Sequence, residues 1–184
     1  MFISTQFEGL WFMEPKVFGD SRGYFFESFN QKAFEAATGL QINFVQDNQS
    51  KSSFGVLRGL HLQLGEYAQA KLVRVLSGEV LDIVVDVRKH SPTFGQSYSI
   101  LLSEENKKQL FVPRGFAHGF VVLSESAEFF YKCDNYYAPQ FEGGIAYNDP
   151  DLDLDWQIDL SKVIVSERDK KLPSFKDFSS SIHG

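Results

Sequence analysis

Short runs of alternating hydrophobic and polar residues dominate the chain from about residue 70 onward, and turn residues separate them. In the run 81–87, a period of two places aliphatic residues on one face and a mixed set on the other. The aliphatic face holds Leu81, Ile83, Val85 and Val87, and the mixed face holds Asp82, Val84 and Asp86. Because no helices recur between such runs, the pattern predicts antiparallel β structure arranged as a sandwich or barrel.

Further strands follow from the same alternation. The run 71–76 leads into the strand 81–87 through Ser77-Gly78, a turn pair that favours a β-hairpin. In this run Lys71, Val73 and Val75 share a face. Four more strands are predicted at 98–102, 109–112, 119–123 and 128–132.

A short helix is predicted at residues 31–38, before the main set of strands. Asn30 is suited to cap its start, and Gly39 is suited to the left-handed position after its end. Phe29 and Phe34 stand at the two positions of a hydrophobic staple, which would fix the direction in which the chain enters the helix.

A second short helix is predicted at 167–171, after a Ser166 cap and before Pro173. No linker or low-complexity stretch interrupts the chain, so residues 1–184 are expected to form one domain.

Composition and charge narrow the classes of function. The net charge of −6 argues against broad binding to nucleic acid, because such binding needs a clustered basic surface. A few well-placed arginines still suffice for a small phosphorylated ligand. No apolar run approaches the roughly 18 residues of a membrane span. The N-terminus lacks the pattern of a secretory signal and Cys133 is the single cysteine, so a cytoplasmic protein is expected.

Two segments carry the clearest chemical signal, Arg58-Gly59-Leu60-His61-Leu62-Gln63 and Pro113-Arg114-Gly115-Phe116-Ala117-His118. They resemble the two motifs of the cupin β-barrels, in which the later histidine points into the barrel. Metal-binding cupins place a histidine where Gln63 stands and a glutamate near the place of Lys71. Because an ammonium has no lone pair to offer a cation, no metal or other cofactor is expected.

Over nearly its whole length the sequence resembles one cupin family, the dTDP-4-dehydrorhamnose 3,5-epimerases. The matching segments are Phe18-x-Asp20-x-Arg22-Gly23-x-Phe25-x-Glu27, Gln46-x-Asn48-x-Ser50, Arg58-Gly59-Leu60-His61-x-Gln63, Lys71-Leu72-Val73, Asp86-x-Arg88-x-x-Ser91-Pro92-Thr93-Phe94-Gly95, Pro113-x-Gly115-Phe116-Ala117-His118-Gly119-Phe120 and Tyr131-Lys132. The resemblance implies a mainly β fold, a cupin-type antiparallel β-barrel or jelly roll with a few short flanking helices. It also implies a homodimer with the N-terminal strands in the interface.

The activity implied by this resemblance is the inversion of C3 and C5 in a dTDP-linked 4-keto-6-deoxy sugar. Both carbons flank the ketone, so loss of a proton from either gives an enolate on the C4 oxygen. By resemblance, His61 is the base, Tyr131 is the acid on the opposite face, and Lys71 stabilises the oxyanion. Asp169 is expected to orient His61.

Substrate binding is also inferred from the resemblance. Arg22 and Arg58 are expected on the diphosphate with help from His118, since guanidinium groups match phosphate oxygens. The nucleoside and sugar are assigned to Glu27, Gln46, Asn48 and Glu142. Where the family commonly shows Ser-x-Lys-Asp, this chain has Ser166-Glu167-Arg168-Asp169, which makes a ligand contact from Arg168 doubtful.

Each assignment has a structural alternative. Asp169 with Ser166 resembles a helix capping box, Lys71 is typical of a strand edge, and Tyr131 is typical of packing. Arg22 and Arg58 are compatible with structural ion pairs, and Asn48 with a turn. The acidic run 149–155 is interpreted as a solvated loop, because it lacks the glycine and distal glutamate of a calcium-binding EF-hand.

Three other functions remain compatible with the sequence. The first is an epimerase that inverts a single centre of a related nucleotide keto-sugar. The second is a non-catalytic cupin that binds sugar nucleotides, and the third is a metal-dependent cupin oxygenase or isomerase.

Overall fold

Two antiparallel sheets that face each other form the body of the protein, which a computed structural model describes over residues 1–183. The first sheet has the strand order β1 (Phe2–Ser4), β2 (Trp11–Met13), β10 (Gln109–Val112), β7 (Lys71–Ser77), β12 (Ser126–Cys133) and β5 (Gln46–Ser53). The second has the order β13 (Glu142–Gly144), β6 (Val56–Gln63), β11 (Phe116–Val122), β8 (Glu79–Asp86) and β9 (Ser97–Ser103).

Three smaller pieces complete the β structure. A short strand, β14 (Ile164–Val165), pairs in parallel with β6 of the second sheet. A separate hairpin joins β3 (Phe18–Asp20) to β4 (Gly23–Phe25). Two helices, α1 (Gln31–Thr38) and α2 (Phe175–His183), flank the sheets. The prediction of a mainly β, jelly-roll architecture with few helices is confirmed, although the strands form two sheets and not one closed ring.

The interior core lies between the two sheets and follows the predicted alternation. Val73 and Val75 of β7 pack there with Val80 and Val84 of β8. Aromatic residues from the remaining strands complete this core, among them Phe116, Phe120 and Phe129. The face of β8 that the sequence marks as mixed therefore points inward, and both Asp82 and Asp86 are fully buried.

Each sheet is also covered on its outer side. Leu81, Ile83 and Val85 of β8 pack under the C-terminal segment, which contributes Trp156 and Phe178 to the same cluster. On the first sheet, the outer cluster contains Phe34 of α1, Leu72 and Phe111. Since both faces of β8 are covered, its near-continuous aliphatic sequence is explained by burial on two sides.

The first helix forms as its end signals predict. Asn30 Oδ1 accepts a hydrogen bond from the amide of Ala33 at 3.1 Å, and Gly39 adopts a φ of 71° after the last turn. The rings of Phe29 and Phe34 lie 6.1 Å apart, as expected for the staple.

The predicted hairpin between residues 71–76 and 81–87 is wrong. β7 and β8 follow each other in sequence, but they belong to different sheets and pair with different neighbours. Gly78 has a φ of 78° at the point where the chain crosses between the sheets. The turn pair thus marks a bend at which the chain passes from the first sheet into the second, because β7 and β8 run antiparallel to the consecutive strands β12 and β11 in one continuing register.

The second predicted helix, at 167–171, forms only in part. Only a single 3-10 turn, Asp169–Lys171, forms there, because the Asp169 carboxylate is bonded to groups of β6. The α-helix of this region is α2, which the sequence analysis did not predict. Its spacing of Phe175, Phe178 and Ile182 is typical of an apolar helix face, and all three pack on the outer core.

Replacing Gly78 by alanine is expected to destabilise the fold by at least about 3 kcal/mol, because a left-handed φ is unfavourable and the new Cβ would overlap the Ser126 carbonyl oxygen. Gly39→Ala is the matched control. Gly39 has a similar φ of 71° but no atom within 4 Å of an added Cβ, so a loss of only about 1 kcal/mol is expected. Urea unfolding of both variants measures the difference, and equal losses would contradict the role of the sheet crossing.

Candidate active site

A cavity of about 620 Å³ opens between the two sheets. His61 reaches it from β6 of the second sheet, whereas Lys71 and Tyr131 reach it from β7 and β12 of the first. Four more residues that the sequence singles out also line this cavity, namely Asn48, Arg58, His118 and Asp169. The structure thus brings together seven residues that lie far apart in sequence.

The local alternation of each strand explains why these side chains point inward. In β7, Lys71 continues the inward face of Val73 and Val75. In β12, Tyr131 continues the inward face of Phe129 in the same way. The polar end of each inward face meets the cavity, and the apolar end forms the core.

His61 and Asp169 form a hydrogen-bonded pair. His61 Nε2 lies 2.8 Å from Asp169 Oδ1, and the amide of Gly59 donates to Asp169 Oδ2 at 3.3 Å. Burial disfavours the ionised form of Asp169, but these partners favour it and the pKa of its carboxyl is lowered. A carboxylate at this position fixes the imidazole and supports its protonated form, as a general base requires.

The capping alternative for Asp169 is present only in part. Ser166 Oγ accepts a hydrogen bond from the amide of Asp169 at 3.0 Å, as a capping serine would. The carboxylate that would complete a capping box is bonded to His61 and Gly59 instead.

Lys71 and Tyr131 adjoin each other across from His61. The Lys71 ammonium lies 5.8 Å from the centre of the Tyr131 ring. Burial lowers the pKa of Lys71 and raises the pKa of Tyr131 to about 12. The phenol therefore stays protonated at working pH, which suits a proton donor and not a base.

His118 lies beside His61, since the two residues are paired in the register of β11 and β6. Its Nε2 is 2.8 Å from Oδ2 of Asp82, and its ring stacks on Phe129 at 6.0 Å between centres. Asp82 was not singled out in the sequence analysis as a site residue. An aspartate within the aliphatic run of β8 was the signal that could have identified it.

Asn48 of the first sheet and Arg58 of the second sheet form the polar wall of the cavity. Asn48 lies on the edge strand β5 and not in a turn. The Arg58 guanidinium donates to Ser52 Oγ at 3.1 and 3.2 Å and is otherwise exposed. A hydroxyl does not neutralise the guanidinium, so its charge remains available to an anion.

Gln46 and Glu142 lie beside the cavity without being part of its lining. Gln46 bonds to Asn48 at 3.1 Å and accepts from the amide of Tyr137 at 3.1 Å. Glu142 accepts from the Tyr137 hydroxyl at 2.6 Å and pairs with Arg168 at 2.5 Å. Arg168 itself lines the cavity, although the sequence analysis discounted it.

Arg22 and Glu27 do not join the site of their own chain. The Arg22 side chain is 88% exposed at the tip of the β3–β4 hairpin and pairs with Asp20 at 2.5 Å. Glu27 lies in a separate groove beside α1 and accepts from Asn30 at 3.1 Å.

Residues 1–183 contain neither a cluster of metal-binding side chains nor a helix that could cross a membrane. No group of three or more histidine, cysteine, aspartate or glutamate side chains converges there as metal ligands would. No helix in that range is long and apolar enough to span a bilayer.

Comparison with known proteins gives a consistent result. Residues 4–177 match the sequence model of the dTDP-4-dehydrorhamnose 3,5-epimerase family. The dTDP-4-dehydrorhamnose 3,5-epimerase of Salmonella typhimurium is 58% identical over 154 residues, which cover 84% of each chain. The chain belongs to this epimerase family.

Solved structures of the epimerase family share the fold. The crystal structure of the enzyme from Elizabethkingia anophelis superposes with a TM-score of 0.93 at 56% identity, covering 96% of this chain and 97% of that one. RmlC from Legionella pneumophila, in complex with dTDP-4-keto-L-rhamnose, superposes with a TM-score of 0.94 at 48% identity, covering 99% and 96%. The resemblance inferred from the motifs is therefore confirmed.

Within this epimerase fold, Asp169→Asn is expected to lower kcat by about 10²- to 10⁴-fold, because asparagine keeps the size of Asp169 but removes the charge that supports His61. Steady-state kinetics measures the loss. Ser166→Ala is the matched control, since it removes the hydroxyl that caps the turn and leaves the carboxylate in place. It is expected to cost about 1 kcal/mol of stability and to change kcat less than tenfold. A larger kcat loss in Ser166→Ala than in Asp169→Asn would favour the capping role.

Proposed function

We propose that this chain inverts C3 and C5 of dTDP-4-dehydro-6-deoxy-D-glucose and so produces dTDP-4-dehydro-L-rhamnose. One observation carries this proposal. His61 enters the cavity from one sheet, and Tyr131 enters it from the facing sheet. Inversion needs a base and an acid on opposite faces of one carbon, and a sugar ring held between the sheets would meet both.

Each inversion is a proton transfer in two steps. His61 removes the proton from C3 or C5, and the electron pair of the C–H bond moves into an enolate on the C4 oxygen. Lys71 stabilises that oxygen as negative charge develops. Tyr131 then returns a proton to the carbon from the opposite face, and solvent restores the protonation of both residues.

The nucleotide is assigned to the polar wall of the same cavity. Arg58 and His118 would hold the diphosphate, and Asn48 and Gln46 would contact the nucleoside. Glu142 would contact the sugar. The exposed guanidinium of Arg58 and the half-buried amide groups of Asn48 and Gln46 support this division, because they match phosphate oxygens and pyrimidine edges.

We also propose a homodimer in which the β3–β4 hairpin of one chain reaches the cavity of the other. Arg22 is exposed and lies outside the cavity of its own chain. Phe18, Tyr24 and Phe25 of the same hairpin are 54%, 62% and 70% exposed, which is typical of an interface surface. A partner chain would cover these rings and bring Arg22 and Glu27 to the diphosphate and nucleoside.

The remaining features of the proposal follow from residue chemistry. Gln63 and Lys71 replace two ligands of a cupin metal site, so the reaction is assigned to side chains without a metal or an organic cofactor. The acidic net charge of −6 supports an enzyme that binds no nucleic acid, and the single cysteine, Cys133, supports a cytoplasmic location.

In heavy water, the enzyme is expected to place deuterium at both C3 and C5 of the keto-sugar, because the Tyr131 hydroxyl carries a solvent-derived deuteron and delivers it in place of the proton that His61 removes. NMR of the product detects the label. Label at one carbon alone would identify a single-centre epimerase. Absence of label from any recovered sugar would refute catalysis and favour a sugar-nucleotide-binding protein.

Tyr131→Phe is the matched control for this experiment. It keeps His61 and the packing of the ring but removes the acid, so inversion should slow by about 10²- to 10⁴-fold. Deuterium should still enter the starting sugar without inversion, because His61 can return a solvent-derived deuteron to the face from which it took the proton.

A mixture of two inactive variants tests the shared site. Arg22→Ala retains His61, and His61→Asn retains Arg22, so a mixed dimer contains one site in which both residues are intact. Refolding the two variants together is expected to restore kcat/KM to roughly a quarter of wild type per chain by random mixing, since half of the dimers are mixed and each has one complete site. Failure to regain activity, with dimers verified by light scattering, would show that Arg22 does not act across the interface.

A further inference from the structure

Asp82 is a fully buried carboxylate in the middle of an aliphatic strand. It lies on β8 between Val80 and Val84, whose side chains belong to the interior core. Its exposed fraction is 0%. Burial of a charge in such surroundings is unfavourable unless nearby groups compensate it, so its neighbours indicate its role.

The first neighbour is His118. Oδ2 of Asp82 lies 2.8 Å from Nε2 of His118, whose ring stacks on Phe129. The ring nitrogen that faces a carboxylate carries the proton, so this contact fixes both the orientation and the tautomer of the imidazole. His118 is thereby held rigidly at the wall of the cavity.

The other carboxylate oxygen has no such contact. Among the residues that the structure describes, Oδ1 of Asp82 is the buried side-chain oxygen or nitrogen without a hydrogen-bond partner. Asp82 lies on the inward side of the second sheet, and Lys71 points toward that side from the first sheet. No hydrogen bond within residues 1–183 involves the Lys71 ammonium, so it interacts with the Asp82 carboxylate through space and not by direct contact.

Among the acidic groups near Lys71, Asp82 keeps one carboxylate oxygen that no hydrogen bond occupies. Burial lowers the pKa of Lys71, while Cys133, Asp82 and Glu142 act in the opposite direction. The pKa of the Cys133 thiol is raised to about 11, so it is neutral at working pH. Glu142 is already paired with Arg168. Asp169, a further carboxylate of the cavity lining, is bonded to His61 and Gly59. The remaining titratable residues of the lining near Lys71 are not carboxylates, namely Arg58, His61, His118, Tyr131 and Arg168.

We propose that Asp82 is a positioning residue for the epimerisation. One of its oxygens fixes the ring of His118, and its negative charge keeps Lys71 an ammonium, ready to stabilise the enolate oxygen. The inference rests on the proposed function, because it gives a reason why a buried lysine can act as a cation in that reaction.

The charge on Lys71 can be measured directly in Asp82→Asn, which keeps the size of the side chain and removes its charge. In protein labelled with ¹³C at lysine Cε, the Lys71 signal is assigned by its loss in Lys71→Arg. We expect its titration midpoint to move to lower pH in Asp82→Asn. Asp86→Asn is the matched control, since Asp86 lies on the same strand with 0% exposure but is bonded to Arg88, Ser91 and Thr93. Its Lys71 midpoint should equal that of wild type.

Kinetics supply the second readout. The ammonium is lost as pH rises through the pKa of Lys71, so the alkaline fall in kcat should begin at lower pH in Asp82→Asn. Above the Lys71 pKa of the variant, kcat should be reduced about tenfold or more relative to wild type. A reduction of this size is expected because removal of a nearby opposite charge lowers the fraction of Lys71 that is protonated. In the double variant Asp82→Asn with Lys71→Arg, the alkaline fall should disappear, because a guanidinium stays charged.

An unchanged Lys71 midpoint in folded Asp82→Asn would overturn the inference, as would an equal shift in Asp86→Asn. Thermal unfolding verifies the fold of each variant, and Asp82→Ser repeats the test if the amide is not accommodated. The proposed function fails separately, through absence of deuterium exchange in wild type. In that case the Lys71 titration still decides whether Asp82 sets its charge.

Discussion

The face-to-face packing of two antiparallel sheets is the constraint on which both the stability and the chemistry of this protein depend. Every second residue of a central strand must point into the space between the sheets. In β7 this inward row begins with Lys71 and continues through Val73 and Val75. The core and the cavity are therefore successive parts of one interior, and the packing that buries the valines also fixes the direction of the lysine.

The bond between His61 and Asp169 connects that interior to the C-terminal segment. This segment covers the outer face of the second sheet with Trp156 and Phe178, and it returns to β6 through the short strand β14. Asp169 lies just after β14 and is held by its contacts with His61 and Gly59. Covering the sheet and orienting the proposed base are thus tasks of one continuous stretch of chain.

Charge inside the cavity is arranged asymmetrically. The second sheet supplies two histidines, each paired with a buried carboxylate at 2.8 Å. The first sheet supplies Lys71 and Tyr131. Burial shifts their pKa values in opposite directions, since it makes a lysine easier to deprotonate and a phenol harder. An anionic intermediate between the sheets would meet proton donors on one side and carboxylate-supported imidazoles on the other.

Features that depend only on neighbouring residues could be predicted from the sequence. The alternation of 81–87 and the ends of α1 at Asn30 and Gly39 were correct, because period, capping and left-handed φ are local properties. The ordered motifs also identified the family, and seven of the predicted site residues line one cavity. Three features became clear only in the tertiary structure. β7 and β8 lie in different sheets, and the Asp169 carboxylate bonds to β6 and not to its own turn. Arg22 lies outside the cavity that His61 lines. Each of these depends on contacts between distant segments, and a turn pair or a short polar motif carries no information about which distant partner will be closest.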